Sequence, residues 1–373
     1  MKKNNIVIVG AGPASLSAAK ILARYVDVLL IGRQYRPEKP CGGGLTQRCT
    51  RILRKVFPDY VELVESEVKT VLVMFRRGTY ILTSDEPLMY IVKRGNLDRT
   101  FLKNIVDTCG VEYIPENVIK IVEKNRRYEI TTDKGTRIEA EVIIAGDGVT
   151  SRVRKCIEDT RYRNLPLALR TYCKIHNIDQ IDIAVLDFSK NIEYGYYWIF
   201  PLKNLLNIGV GAFRPRKDLK NDLENYIRML GLEKTYSIDG HNLPENVRNL
   251  TSRDRKILYI GDAAGLIDYT LGEGITYAVI SGIMAAIAYL KNRKNPGTTY
   301  IELMKDIVND LELTRKIAIH VPYKIDRILD ILIRKTITTG KYSIKILKGQ
   351  ETYHKAIKKL LDPRKIIHTL LKP

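Results

Sequence analysis

Gly10-Ala11-Gly12-Pro13-Ala14-Ser15 follows a short apolar run, Ile6 to Val9, and opens a helical pattern that extends to Tyr25. Gly10 permits a tight turn, and Gly12 lets the backbone approach a pyrophosphate lying at the positive end of the helix dipole. Ser15 stands where a third glycine usually gives close helix–strand contact, so a slightly looser fit is expected there. An acidic residue normally ends the next strand and binds ribose hydroxyls. Here that position is Gly32, followed by Arg33, which is a candidate to contact a phosphate or stack on adenine. The plainer reading of Arg33 is a solvated loop residue.

Two further strings carry a glycine beside a carboxylate. Leu258 to Gly265 reads as a strand, a turn and a helix start, and places Asp262 where its carboxylate can accept a hydrogen bond from a ribityl hydroxyl. Gly272-Glu273-Gly274-Ile275 follows and opens another helix, whose backbone N–H groups suit the anionic edge of a reduced flavin. Val142 to Arg154 contains Asp147, Gly148, Ser151 and Arg154 in an Asp-Gly-x-x-Ser-x-x-Arg arrangement. That string closes the cofactor domain of aromatic hydroxylases and their relatives. The three elements, in this order, resemble the glutathione-reductase-type FAD domain of the hydroxylase branch.

The elements that must position these residues follow from patterning. Ile6 to Val9 and Val28 to Ile31 read as buried parallel strands. Val68 to Phe75 with Thr79 to Thr83, and Tyr128 to Thr132 with Arg137 to Glu139, read as hairpins. A helix is expected from about Leu97 to Cys109, and a strand over Val142 to Ala145. Extended segments at 170–175, 183–187, 194–200 and 206–211 suggest an inserted antiparallel sheet. Ile257 to Ile260 returns to a parallel strand and Ile275 to Leu290 to a helix with small residues on one face. Beyond Asn295 the pattern is helical and basic. Ile325, Ile328, Leu329 and Leu332 recur at helical spacing, as expected of a capping subdomain or of a helix lying on anionic lipid.

The expected class is α/β. An FAD domain is made of 1–66, 90–156 and 246–292; a substrate sheet domain of 67–89 and 157–245; a C-terminal helical region of 293–373. A chain of 373 residues accommodates such a division. Lys+Arg number 62 against 42 Asp+Glu, a formal charge of +20. Such a balance suits an anionic membrane surface or acidic partners. Zinc spacings and RNA-binding signatures are absent, so nucleic acid is not an expected partner. The five cysteines lack paired spacing, which argues for a reducing, cytoplasmic setting. No run of about 18 uncharged apolar residues suggests a span, leaving at most a peripheral position at the inner face of the cell membrane.

Within the hydroxylase branch, three stretches resemble the geranylgeranyl reductase family: Lys39 to Leu45 with its Pro40-Cys41-Gly42; Tyr196-x-Trp198-x-Phe200-Pro201, with Glu193 where the motif's first proline belongs; and Gly261 to Ile275, with Tyr269 where proline is usual. The resemblance covers residues 1 to about 290. It implies that Gly12 and Ser15 hold the pyrophosphate and that Cys41, Gly42 and Gly44 lie along the isoalloxazine. It also implies that Arg94 approaches phosphate and ribityl, that Val118 lends backbone to adenine, and that Asp262, Gly274 and Ile275 bind ribityl and flavin. Tyr196, Trp198 and Phe200 would form an apolar wall for a lipid chain. Cys41, Tyr196 and Trp198 are the candidate catalytic residues; Cys41 either adjusts the flavin or donates a proton, or is a small residue that lets the loop pass the ring. The implied activity is FAD-dependent saturation of polyprenyl double bonds, with electrons from ferredoxin or NAD(P)H. A flavin monooxygenase or halogenase, and a flavin- or lipid-binding carrier without turnover, are the competing readings.

Overall fold

The computed structural model describes residues 2–33, 39–76, 78–158, 165–175, 182–190, 192, 194–214, 217–324, 344–345, 348–352 and 355. The first part of the chain runs through β1 (Lys2–Val9), α1 (Pro13–Leu22), β2 (Leu29–Ile31), β3 (Gly44–Thr46), α2 (Gln47–Val56), β4 (Val64–Val68), β5 (Thr70–Phe75), β6 (Gly78–Thr83) and β7 (Met89–Val92). Next come α3 (Arg94–Cys109), β8 (Glu112–Ile114), β9 (Val118–Lys124), β10 (Arg127–Thr132), β11 (Arg137–Ala145) and α4 (Arg152–Glu158). The remainder comprises β12 (Leu167–Lys174), β13 (Ile183–Asp187), β14 (Gly195–Pro201), β15 (Leu205–Ala212), α5 (Leu219–Met229), β16 (Asp239–Asn242), β17 (Ile257–Tyr259), α6 (Ile275–Lys291) and α7 (Pro296–Lys324).

The first sheet has the order β8-β2-β1-β11-β10-β9, with β17 also on β11. β8, β2, β1, β11 and β17 pair in parallel, whereas β10 pairs antiparallel with β11 and β9. Strand β11 makes this branching possible. Its first half faces β10, at Tyr128 opposite Ala140, and its second half faces β17, at Ile143 opposite Ile257. The sequence pattern suggests two strands here; the structure has one, because the alternation of Ile138, Ala140 and Val142 into the core continues without a break. Uninterrupted apolar runs such as Ile6 to Val9 are what a sheet covered on both faces requires.

Helix α6 crosses α1 closely. A Cβ on Gly282 would stand 2.0 Å from the Ala14 carbonyl oxygen, so only glycine permits this crossing. Helix α7 lies on the same core, with Tyr300, Met304 and Leu311 buried and the Tyr300 hydroxyl donating to the Tyr259 carbonyl at 3.0 Å. Ile325, Ile328, Leu329, Leu332 and Glu193 lie outside the described residues. No helix among the described residues is long and apolar enough to cross a membrane.

The second sheet has the order β16-β12-β15-β14-β13-β5-β6. Its pairs are antiparallel except β13 with β5, which run parallel from Ile183 opposite Thr70 to Asp187 opposite Met74. One face carries Tyr172, Trp198 and Phe200; the other carries Tyr197, Ile208 and Val210 beneath α5. Successive residues of β14 alternate between the two faces, as strand geometry demands. A third sheet has the order β3-β7-β4. Helix α3 begins at Arg94, three residues before the sequence pattern suggests. Helix α2 has no counterpart in the sequence reading: its buried stripe of Cys49, Thr50, Leu53 and Val56 is short and interleaved with Arg48, Arg51, Arg54 and Lys55.

Candidate active site

The glycine turn at the end of β1 is fixed by close contacts on two sides. Gly10 has φ +107°, and a Cβ there would lie 2.3 Å from the Gly146 carbonyl oxygen. Its N–H donates to Ile31 at 2.7 Å. Gly12 caps α1 without a side-chain bond and precedes Pro13, while the position a Cβ would occupy has nothing within 4 Å. The backbone therefore presents first-turn N–H groups that have no intrahelical partner, at an open face and at the positive end of the dipole.

Ser15 does not loosen this unit. Its hydroxyl donates to the Val9 carbonyl at 3.3 Å and lies 2.3 Å from where a Cβ on Gly146 would be, so the glycine missing from α1 is supplied by β11's end. Gly32 explains the absent ribose-binding acid: a Cβ there would stand 2.8 Å from Ala11 Cβ and 2.9 Å from Ala11 N. Arg33 is exposed, and its carbonyl, like that of Gly32, accepts from the Tyr113 hydroxyl at 3.1 Å.

The Asp-Gly-x-x-Ser-x-x-Arg string serves to fasten the pieces. Asp147 and Ser151 cap α4 by accepting from the N–H groups of Val153 and Arg154, each at 3.0 Å. Arg154, 2% exposed, donates to the carbonyls of Ala263 at 3.1 Å and Asn249 at 2.6 Å and lies over the Tyr259 ring. Arg154 thereby pins the 261–264 turn that presents Asp262.

A charged cluster lies between the glycine turn and the Cys41 loop. Arg94, at the start of α3 and 8% exposed, donates from Nε to Asp98 at 2.8 Å. His241, from β16, faces Asp262 with Nε2 3.9 Å from Oδ2, and that buried nitrogen has no hydrogen-bond partner among the described residues. Burial alone would raise the Asp262 carboxyl; the His241 imidazole and the positive charges of Lys39 and Arg94 outweigh it and hold the group below its ordinary value. Burial and the Arg94 charge lower Lys39, against the pull of Asp98 and Asp262. Asp262 is thus a ready acceptor for a hydroxyl, flanked by cations that suit a diphosphate. The sequence alone marks neither Lys39 nor His241 as a site residue. Lys39 adjoins the Cys41 loop, whereas nothing local marks His241, which arrives from the second sheet.

Tyr196, Trp198 and Phe200 share one face of β14, and the Cys41 loop is seated on that face. A Cβ on Gly42 would stand 3.0 Å from the Phe200 ring and 3.3 Å from Trp198 Nε1; one on Gly44 would stand 3.0 Å from Met89 Sδ. Gly43, at φ +78°, brings the loop against the Val92 carbonyl. The Cys41 sulfur accepts from Gly43 N at 3.4 Å. The Tyr196 hydroxyl donates to the Leu271 carbonyl, tying the wall to the Gly272-Glu273-Gly274 turn.

That turn opens α6. Gly274 is its cap, Ile275 its first residue, and a Cβ on Gly274 would lie 3.6 Å from Asp262 Oδ1. Glu273 accepts from Thr276 N at 2.7 Å. Burial pushes the Glu273 carboxyl up to about 7; Thr276 pulls it back only partly, and the Asp268 charge adds to the rise. Val118 is buried at the head of β9, the end strand of the first sheet. The candidates therefore fall into a glycine-turn group (Gly10, Gly12, Ser15), a group at the aromatic face of β14 (Cys41, Gly42, Gly44, Tyr196, Trp198, Phe200) and a charged group with Arg94 and Asp262, to which Gly274 is adjacent.

The chain resembles known proteins over most of its length. The lycopene cyclase protein family model matches residues 5–288. An uncharacterised protein of Methanosarcina barkeri is 30% identical over 77% of this chain and 74% of its own length. A geranylgeranyl diphosphate reductase of Rhodobacter capsulatus is 27% identical over 78% and 77%. A digeranylgeranylglycerophospholipid reductase of Thermoplasma volcanium is 25% identical over 97% of this chain and 100% of its own. Among solved structures, a geranylgeranyl bacteriochlorophyll reductase-like protein of Thermoplasma acidophilum superposes with a TM-score of 0.76 at 22% identity, covering 97% of this chain and 99% of that one. A flavin-dependent brominase gives 0.72 at 18% identity, over 93% and 94%. The fold is the mixed α/β type that the motifs imply, and the chain belongs to the family described by the lycopene cyclase protein model, with geranylgeranyl reductases among its named relatives.

Proposed function

We propose that this protein is an FAD-dependent reductase that saturates carbon–carbon double bonds in polyprenyl chains of geranylgeranyl type. The observation that carries the reading is the seating of the Cys41–Gly44 loop on the Tyr196, Trp198 and Phe200 face, beside Asp262 and Gly274. The named reductases among its relatives support the substrate class.

The residues present fit FAD. An open glycine-capped helix, a charged middle with a depressed carboxylate and an apolar ring end follow one another in the order of pyrophosphate, ribityl and isoalloxazine. Once bound, the flavin supplies a hydride equivalent to the alkene. The chain does the rest. The α1 terminus, Lys39 and Arg94 balance the diphosphate charge, and Asp262 accepts from ribityl hydroxyls. Trp198 and Phe200 exclude water from the ring and lay the lipid chain against it. Cys41 is the candidate donor of the proton that completes saturation. Electrons come from an acidic ferredoxin or from NAD(P)H, and the +20 charge favours the acidic protein partner and a peripheral position on anionic membrane.

An anaerobic assay tests this. The flavin-loaded protein is reduced with dithionite and given geranylgeranyl-bearing lipid, and products are weighed by mass spectrometry. Products heavier by two hydrogens per bond are expected. Flavin binding without product, together with oxygen consumption coupled to NAD(P)H oxidation, transfers the reading to a monooxygenase. Tight lipid binding without either reaction transfers it to a carrier.

A further inference from the structure

Asn207 lies on β15, is 2% exposed, and uses both ends of its amide. Its Nδ2 donates to the carbonyls of Cys41 at 2.9 Å and Gly42 at 3.1 Å. Its Oδ1 accepts from Trp198 Nε1 at 3.1 Å. The orientation of the amide is unambiguous, because backbone carbonyls only accept and an indole N–H only donates. Leucine would match the volume but leave two carbonyls and the indole N–H without these partners.

We propose that Asn207 is a positioning residue that locks the Cys41–Gly42 backbone to the indole of Trp198, and so fixes the distance between the thiol-bearing loop and the aromatic wall. Its role toward turnover rests on the reductase reading above. The lock itself does not, and it is read without an activity assay.

Asn207→Asp is the informative variant. An ionised aspartate accepts from the indole as before but cannot donate to the two carbonyl oxygens, which repel it. The buried group therefore takes up a proton, whose O–H serves one carbonyl, and it titrates well above the ordinary carboxylate value of about 3.9. The loop is held at low pH and released as pH rises through that midpoint.

Trp198 is the only tryptophan, so intrinsic fluorescence reports this bond directly. Asn207→Asp is expected to show a pH-dependent emission change, absent from the wild type, with a matching rise of at least threefold in the rate of Cys41 alkylation followed by peptide mass spectrometry. With polyprenyl substrate, its kcat falls across the same pH window while KM changes less. Emission and Cys41 alkylation that match the wild type across the pH range, in both Asn207→Asp and Asn207→Leu, overturn the proposal. If both variants fail to fold, the wild type decides. With 15N-labelled tryptophan, the single indole N–H is expected to exchange with solvent at least a thousandfold slower than free tryptophan. Exchange at the free rate overturns the lock. A fluorescence and alkylation response without any reductase activity retains the lock and rejects the reductase reading.

Discussion

Gly32 lies so close to Ala11 that a side chain at position 32 would enter the glycine turn: Cβ to Cβ would be 2.8 Å. The absence of an acidic residue at the end of β2 is therefore built into the backbone. Installing the acid is expected to damage the site. Gly32→Glu should weaken flavin binding at least tenfold, measured by flavin fluorescence titration. Tighter binding by the variant shows that the turn yields and that the missing carboxylate was limiting.

Arg94 and Asp98 form a buried pair one helical turn apart. Removing only the cation strands a carboxylate in the interior, a loss of about 3–5 kcal/mol. Arg94→Met is expected to lower denaturant stability by that order and to abolish flavin binding. In the double variant Arg94→Met/Asp98→Leu the stranded charge is gone, so most stability returns while binding stays at least tenfold weak. A double variant that binds like the wild type reduces Arg94 to a structural partner of Asp98.

The parts of this site readable from sequence are those whose residues are neighbours in the chain. Gly10 and Gly12 sit two positions apart in one turn, and the alternation Tyr196, Trp198, Phe200 marks one face of one strand. The lock at Asn207 and the pairing of His241 with Asp262 join residues far apart in sequence, and neither asparagine nor histidine bears a local signature of its partner. The pattern over β11 reads as two pieces for a related reason. Its neighbours change from β10 to β17 midway, and the switch is a property of the sheet, not of the strand. Gly32 is legible as a departure from pattern, but its cause, the Ala11 contact, appears only in three dimensions.

Glu273 sets a pH dependence of stability. Its folded-state pKa is raised from the ordinary 4.5 to about 7, chiefly by burial. Between those values the native state binds the extra proton, so stability falls as pH rises from about 4.5 to 7 and is flat on either side. Glu273→Gln keeps an acceptor for Thr276 N–H and lacks the titration. At equal flavin loading, the glutamine variant is expected to gain on the wild type by on the order of 1–3 kcal/mol between pH 4.5 and pH 8. Parallel melting curves across that range show that Glu273 ionises freely in the folded protein.

The indole of Trp198 lies across Gly209, its cross-strand neighbour on β15. A Cβ on Gly209 would stand 2.1 Å from Trp198 Cζ2 and 2.5 Å from the Leu169 carbonyl oxygen, whereas a Cβ on Gly211 would meet Trp198 Cζ3 at an ordinary 3.8 Å. The two glycines share one strand and one face, so the same substitution at each compares a position crowded by the indole and the Leu169 carbonyl with an open one. Gly209→Ala must displace the ring or open the sheet, at about 1–3 kcal/mol, and shift Trp198 emission. Gly211→Ala should leave emission unchanged and stability within about 0.5 kcal/mol. Under the reductase reading, polyprenyl turnover falls with the first and persists with the second. Equal tolerance of both substitutions means the indole moves freely over β15, and the wall is then too loose to orient a lipid chain.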